Sequence, residues 1–357
     1  MQKTNKPSGG VFGHTSGNAY EPTKGSPLDK LGYLASPPQK TPKNGLKPLY
    51  SETFERRAKP KHKSTYIGLN LAIANHDSPM VKRYWRQYWC SSSIELDRAT
   101  GKTRTTYCDT RTCQVCGRIR TAKMINQYGL ILDQNPNLYF VTLTQGKRVE
   151  GPELRNTIKR MLKTFADAIK NLKQNKRRAK VDSRINCIRK LEITYCVVRK
   201  THHPHIHALI QGEQNAKDLL CYWMSHNPKC KIDGQHITPY KQGKYLEIFK
   251  YITKTTTKDK ETGEERLNPY KATDEQVQAL DRVRTLAVYG FEKPHPENHQ
   301  PDNEETLDDV EPKGGLPLRF EYVPHGQNWN WYELETGEPL TRYDATKVSE
   351  TLRPPDG

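Results

Sequence analysis

The chain has 357 residues, with 58 Lys and Arg against 40 Asp and Glu, giving a formal net charge of +18. That basic excess points to a polyanionic partner, and the 34% hydrophobic share, below the roughly 45–50% of ordinary globular domains, implies that part of the chain is unfolded. No stretch reaches the ~18 consecutive apolar residues of a membrane span and no apolar signal core opens the sequence, so a membrane or secreted protein is excluded and a cytoplasmic one expected.

Residues 1–63 carry 12 basic and 4 acidic residues, hence +8, with eight prolines in segments such as Ser36-Pro37-Pro38 and Pro60-Lys61-His62-Lys63. They read as a basic disordered arm. In the Cys-rich stretch 64–128, Ser91–Leu96 and Thr103–Tyr107 read as two short strands around an Asp97–Lys102 turn. From 129 to 291 the pattern is mixed. Leu138–Thr144 is an apolar, Thr-rich strand, and after Pro152 the residues Leu154, Ile158, Met161, Leu162, Phe165, Ile169 and Leu172 recur at helical spacing. Lys190–Val198 and His205–Gln211 read as strands joined by a turn that His202 and His203 shape. A helix over 216–225, a strand over 236–240 and helices over 244–255 and 274–286 complete the set. Hairpin-like connections between these strands predict an α+β fold, a central antiparallel sheet with flanking helices. Residues 292–357 carry 6 basic and 15 acidic residues, hence −9, and nine prolines. They read as an acidic Pro-rich tail in which Trp329, Trp331, Tyr332 and Tyr343, around a Glu335-Thr336-Gly337 turn, suggest a hairpin docked on the core.

Cys90, Cys108, Cys113 and Cys116 form the spacing C-x17-C-x4-C-x2-C, and the first gap is the predicted strand pair. A hairpin brings its two ends together, so four thiolates could converge as a structural zinc site requires. Arg111, Arg118 and Arg120 lie around the cluster and are expected to offset thiolate charge and contact DNA phosphate. The alternative is a set of buried reduced cysteines, the reading given to Cys187, Cys196, Cys221 and Cys230.

In Thr201-His202-His203-Pro204-His205-Ile206-His207, strand alternation points His205 and His207 to one face and Ile206 to the core. Two imidazoles about 7 Å apart on one strand can begin a divalent-metal site with positions open for substrate. A His-rich loop running into an edge strand is the competing reading. In the predicted helix over 244–255, Glu247, Tyr251 and Lys254 share one face while Leu246, Phe249 and Ile252 point to another. Alone, that is an ordinary solvated face. Beside a +19 core and a metal site, a phenol flanked by an ammonium and a carboxylate is equipment for covalent cleavage of a phosphodiester.

At these residues the sequence resembles the rolling-circle plasmid replication initiators of the HUH endonuclease superfamily, single-tyrosine branch. Phe140-Val141-Thr142-Leu143-Thr144 resembles the family's first motif, His203-Pro204-His205-Ile206-His207 its metal-binding motif, and Glu247-x-x-x-Tyr251-x-x-Lys254 its catalytic motif. The Cys108-x-x-Arg111-x-Cys113-x-x-Cys116 run fits the same branch. The resemblance implies an HUH endonuclease domain over 129–291, with the His pair on a middle strand, preceded by a small four-cysteine zinc-binding module over 64–128. It also implies nicking of one strand at a double-strand origin, single-stranded or cruciform, a 5′ phosphate linked to Tyr251 and a 3′ hydroxyl that primes synthesis. Glu247 would activate water to end the round, with Tyr245 less suited because it lies off the face. Glu192, on the preceding strand, is the candidate third ligand for Mg²⁺ or Mn²⁺; an exposed strand residue paired with a neighbouring Lys is its other reading. A host helicase and a DNA polymerase are the implied partners. A relaxase or transposase with the same chemistry, and a non-catalytic zinc-dependent DNA-binding repressor, are the alternatives.

Overall fold

Along the chain the elements are α1 (Glu52–Ala74), α2 (Val81–Tyr88), β1 (Ser93–Leu96), β2 (Thr103–Thr105), α3 (Gln114–Gln134), β3 (Leu138–Thr144), α4 (Gly151–Arg178) and β4 (Cys187–Cys196). They continue with β5 (Thr201–Gln211), α5 (Glu213–His226), β6 (His236–Pro239), β7 (Thr256–Lys258), β8 (Glu265–Leu267), α6 (Tyr270–Ala279), β9 (Leu286–Tyr289), β10 (Leu318–His325) and β11 (Asn328–Glu333). This computed structural model describes residues 52–98, 102–241, 243–244, 248–249, 255–258, 265–291, 317–325 and 328–344. The fold is α+β, with a five-stranded and a four-stranded antiparallel sheet and flanking helices.

The five-stranded sheet has the order β6-β3-β5-β4-β9, so β5 is its middle strand. Alternation assigns its two faces. Ile206, Ala208 and Ile210 of β5, Val141 and Leu143 of β3, and Leu191 and Ile193 of β4 pack on one side against Leu154, Ile158, Met161 and Phe165 of α4 and Leu219 and Trp223 of α5. Most of these side chains are fully buried, each contributing about 1.5–3 kcal/mol of transfer free energy. Pro152 stands in the first turn of α4, where its missing N–H costs nothing. On the opposite face Leu138, Ile188 and Leu209 meet Tyr128 and Leu132 of α3 and the helical pair Ile248 and Phe249. That second face turns polar towards His207, His205 and Glu192.

The four-stranded sheet, β11-β10-β1-β2, joins distant parts of the chain. β1 pairs with β2 on one edge and with β10 on the other, so Ile94 lies opposite both Thr105 and Phe320. Trp331 is fully buried, meets Phe54 of α1 edge-on at 5.9 Å and donates its indole N–H to the Ser91 carbonyl at 2.8 Å. Residues 318–325 and 328–344 therefore belong to this sheet and its packing, with β10 and β11 forming an antiparallel pair docked on the core.

The boundary of the basic arm also needs correction. Residues 52–63 form the first half of α1, which buries Phe54, Ala58, Ile67, Leu71 and Ala72. Lys59-Pro60-Lys61 has the composition of an arm, but Pro60 removes only one helical hydrogen bond and the flanking apolar residues hold the helix down. Two further expectations change. The helix expected over 274–286 is α6 at 270–279 followed by a turn and β9. His202 and His203 lie inside β5 rather than in a turn; the turn is 197–200.

Candidate functional site

Ladder register decides which side chains meet at the polar end of the sheet. Glu192 of β4 lies opposite His205 of β5, Lys190 opposite His207, and Thr142 of β3 opposite His207 from the other side. Side chains directly opposite one another stand roughly 4.5–5.5 Å apart, so three donors converge. The Glu192 Oε2 atom is 3.5 Å from His205 Nε2 and 3.6 Å from His207 Nε2, and one ligand atom from each residue lies within 4.8 Å of the other two. The expected imidazole pair and its carboxylate are thus brought together on the middle strands. Glu192 is buried, at 1% side-chain exposure, and its carboxylate also contacts the Lys190 ammonium, which is fully buried.

Both histidines are oriented from behind. His205 Nδ1 sits 3.1 Å from the His203 carbonyl, which can only accept, so Nδ1 carries a proton and Nε2 is the ring nitrogen that faces Glu192. His207 Nδ1 lies 3.1 Å from Thr142 Oγ1, and Phe140 packs its ring 5.2 Å from the His207 ring. Such backing fixes the ring plane and the ligating nitrogen. Burial opposes ionisation of Glu192, but His205, His207 and Lys190 outweigh it and hold the carboxyl far below the usual carboxylate range. Burial lowers the His207 pKa, against the pull of Glu192, so the imidazole is kept neutral, as a ligand must be. Burial together with His205 and Arg148 takes His203 down to about 4. The donor set suits Mg²⁺ or Mn²⁺, whose neighbouring ligands stand about 3 Å apart at bond lengths of about 2.1 Å, a small closure from the observed separations.

Tyr251, Glu247 and Lys254, with Tyr245, lie outside the described residues. Just before Tyr251, Phe249 is held on the triad's face of the sheet. Its carbonyl accepts from Thr121 Oγ1 of α3 at 2.9 Å, and its ring stacks on Tyr128 at 6.3 Å.

The cysteines form a second cluster. Cys90 follows α2, Cys108 follows β2, Cys113 is the N-cap of α3 and Cys116 lies in its first turn. The β1–β2 hairpin closes Cys90 onto Cys108, and all four side chains are buried. Sγ separations are 3.5 Å for Cys90–Cys116, 3.6 Å for Cys90–Cys113 and 3.7 Å for Cys108–Cys116. A disulfide would need about 2.05 Å, whereas tetrahedral zinc with bonds of about 2.3 Å spaces its sulfurs about 3.8 Å apart. The chain's geometry therefore fits zinc. Backbone N–H groups of Cys108 and Thr110 point at Cys90 Sγ and Cys108 Sγ at 3.4 and 3.3 Å. Hydrogen bonds from Cys108, Cys116 and Cys90 hold the Cys113 thiol well below its ordinary value.

Two supports of this cluster escape sequence reading. Lys61 of α1 is fully buried, donates to the Cys90 and Tyr88 carbonyls at 2.7 and 3.2 Å and to Ser92 Oγ at 2.7 Å, and lies over the Tyr322 ring at 4.6 Å. Burial pulls its ammonium down to about 8, with Cys90, Cys113 and Cys108 opposing. Ser64 Oγ accepts from the Gln114 N–H at 2.9 Å and lies 3.6 Å from Cys113 Sγ.

The three arginines near the cluster make contacts within the chain. Arg111 donates to the Val283 carbonyl at 2.7 Å, and Arg120 binds the Asp109 carboxylate at 2.5 Å and the Thr110 carbonyl at 3.0 Å. Both fasten the cysteine loop. Arg118 is exposed and donates to the Arg56 carbonyl at 3.0 Å.

Comparison with known proteins covers about a third of the chain. No helix among the described residues is long and apolar enough to cross a membrane. No solved structure matches. The chain is 32% identical over 111 residues to a Streptococcus pneumoniae serotype 2 protein described as "Protein rep", a match covering 29% of this chain and 32% of that protein. It thus spans about a third of the length of the curated relative it matches. Residues 101–215, which include Cys108, Cys113, Cys116, Glu192, His205 and His207, match the family model described as a replication protein.

Proposed function

We propose that the chain is a replication initiator that nicks one DNA strand at a double-strand origin, with Tyr251 as nucleophile. In this reading the five-stranded sheet is an HUH endonuclease core and Cys90, Cys108, Cys113 and Cys116 hold a structural zinc ion beside it. The observation that carries it is the convergence of Glu192, His205 and His207 on the middle strands. The replication-protein match over residues 101–215 and the "Protein rep" relative support the same class.

Glu192, His205 and His207 would hold Mg²⁺ or Mn²⁺, which supplies Lewis acidity to a non-bridging oxygen of the scissile phosphate. The side chains of His205 and His207 are 10% and 17% exposed, so a backbone phosphate can reach them. The Tyr251 hydroxyl attacks phosphorus, forming a Tyr–O–P bond as the P–O3′ bond breaks. The phenol loses its proton and the departing 3′ oxygen gains one, leaving a primer terminus. Lys254, three residues on, favours the phenolate, since a phenol of pKa about 10 is a poor nucleophile at neutral pH. The phosphotyrosine keeps the bond energy, so rejoining needs no ATP. Glu247 acts as the base for the water that ends the round. Phe249, anchored to α3 over the triad's face, supports this arrangement.

The test is conversion of supercoiled plasmid carrying the cognate origin to open circles in Mn²⁺. Wild type nicks, and Tyr251→Phe does not. A chain that binds the origin in a zinc-dependent manner but never nicks it in Mg²⁺ or Mn²⁺ is a repressor instead.

A further inference from the structure

Lys190 and Glu192 are two residues apart on β4, so both leave the sheet on the face that carries His205 and His207. Their charged groups touch with side-chain exposures of 0% and 1%. The Glu192 carboxylate is consequently divided. Its Oε1 rests on the Lys190 ammonium and its Oε2 faces both imidazoles at 3.5 and 3.6 Å. Nothing in the expected three-donor set calls for a buried cation, and burying an ammonium costs several kcal/mol unless a partner offsets it.

Two imidazoles, neutral as metal ligands must be, and one carboxylate give a donor set of −1, and the Lys190 ammonium in contact with Glu192 offsets that charge. Divalent-cation affinity rises with the negative charge of the ligands and with chelation by both carboxylate oxygens. Lys190 withholds each of these. A phosphodiester adds one negative charge and one oxygen donor.

We propose that Lys190 is a positioning residue that keeps Glu192 a one-oxygen donor and offsets its charge, so that the divalent cation and the scissile phosphodiester bind cooperatively. The inference rests on reading Glu192, His205 and His207 as a cation centre. Coupling is reciprocal: the phosphodiester tightens the ion by the same factor as the ion tightens the phosphodiester. A cell's free Mg²⁺ or Mn²⁺ then fills the site chiefly when DNA is in place.

The experiment is calorimetric Mn²⁺ titration of the full chain with its zinc retained, with and without a single-stranded origin oligonucleotide, in a Tyr251→Phe background so that the DNA stays intact. Without DNA, Lys190→Met should bind Mn²⁺ about tenfold more tightly than the parent, and its gain from DNA should shrink by a similar factor, while Lys190→Arg tracks the parent. Equal or weaker Mn²⁺ binding by a folded Lys190→Met overturns the proposal. So does a parent protein whose Mn²⁺ affinity is indifferent to DNA, a readout that stands even if Lys190→Met fails to fold. If His205→Ala abolishes Mn²⁺ binding while the Lys190 variants change nothing, the cation centre stands and only the role of Lys190 falls. If His205→Ala leaves Mn²⁺ binding intact, the centre itself falls.

Discussion

Glu192 and the two histidines depend on residues that touch neither substrate nor metal. Thr142 fixes the His207 ring through Nδ1, and the His203 carbonyl does the same for His205. Thr142→Val should therefore lower Mn²⁺ affinity by about tenfold with little change in stability, because outer partners of this kind typically carry 10–100-fold of affinity. Titration of the folded variant checks it, and unchanged affinity would remove Thr142 from the site. Glu247→Ala should nick at near wild-type rate but accumulate unresolved strand-transfer products, measured as persistent protein–DNA linkage after one round. Equal loss of nicking and resolution would remove the water-activation role. The triad was readable because alternation puts His205 and His207 on one face and the preceding strand supplies a carboxylate. The burial of Lys190 is not legible in the sequence, since it is a property of register and packing, and a lysine in sequence looks like solvated surface. Glu192 is paired with a lysine but is buried rather than exposed, and it faces the histidines.

The elements around the cysteines form one mechanical unit. α1 supplies Lys61 and Ser64, α2 and the β1–β2 hairpin supply Cys90 and Cys108, and α3 supplies Cys113 and Cys116. Cys113→Ser should abolish binding of about one zinc per chain and lower the melting temperature, because four elements lose their common anchor; metal analysis with a thermal melt reads both. A melt that stays put would make the cluster a bystander to folding. His62, on the same helix, is buried against Tyr322 at 3.3 Å. Burial first, and the Lys61 charge second, lower its pKa to about 4. The folded state therefore prefers neutral His62, and its contribution is fully present above the unfolded value of about 6.5 and is lost as pH falls towards 4, by up to about 3 kcal/mol. His62→Gln should flatten that part of the stability–pH curve in urea melts, and an unchanged slope would contradict the assignment. Strongly periodic elements were legible in advance: α4 from its apolar stripe, β3 and β5 from their alternation. α3 was not, because its buried residues Val115, Cys116, Tyr128 and Leu132 gather at its two ends around a polar middle. α1 was hidden by Pro60 and its lysines, and β9 by its four-residue length.

At the scale of the whole molecule the charge divides as +8 over residues 1–63, +19 over 64–291 and −9 over 292–357. The partition by sequence does not follow the partition in space. β10 sits between β1 and β11, so removing everything after Tyr289 would strip two strands and uncover Ile94 and Phe54. The acidic run Asp302–Glu311 can be neutralised without touching those strands. Replacing its Asp and Glu by Asn and Gln should raise non-specific DNA affinity at low ionic strength and lose that effect as screening shortens the Debye length to about 8 Å at physiological salt. Equal affinities at low salt would mean that the run does not compete with DNA. The +19 stretch also carries the triad and the catalytic motif, so non-specific attraction and chemistry are proposed to share one body.

The most direct measurement of the central claim is mass spectrometry of the protein digested after reaction with single-stranded origin DNA and Mn²⁺. A nucleotide-bearing phosphate on Tyr251, absent from His205→Ala and His207→Ala, is the predicted result. A link to any other residue, or no covalent product in Mg²⁺ or Mn²⁺ from a chain that binds the same DNA, would contradict it.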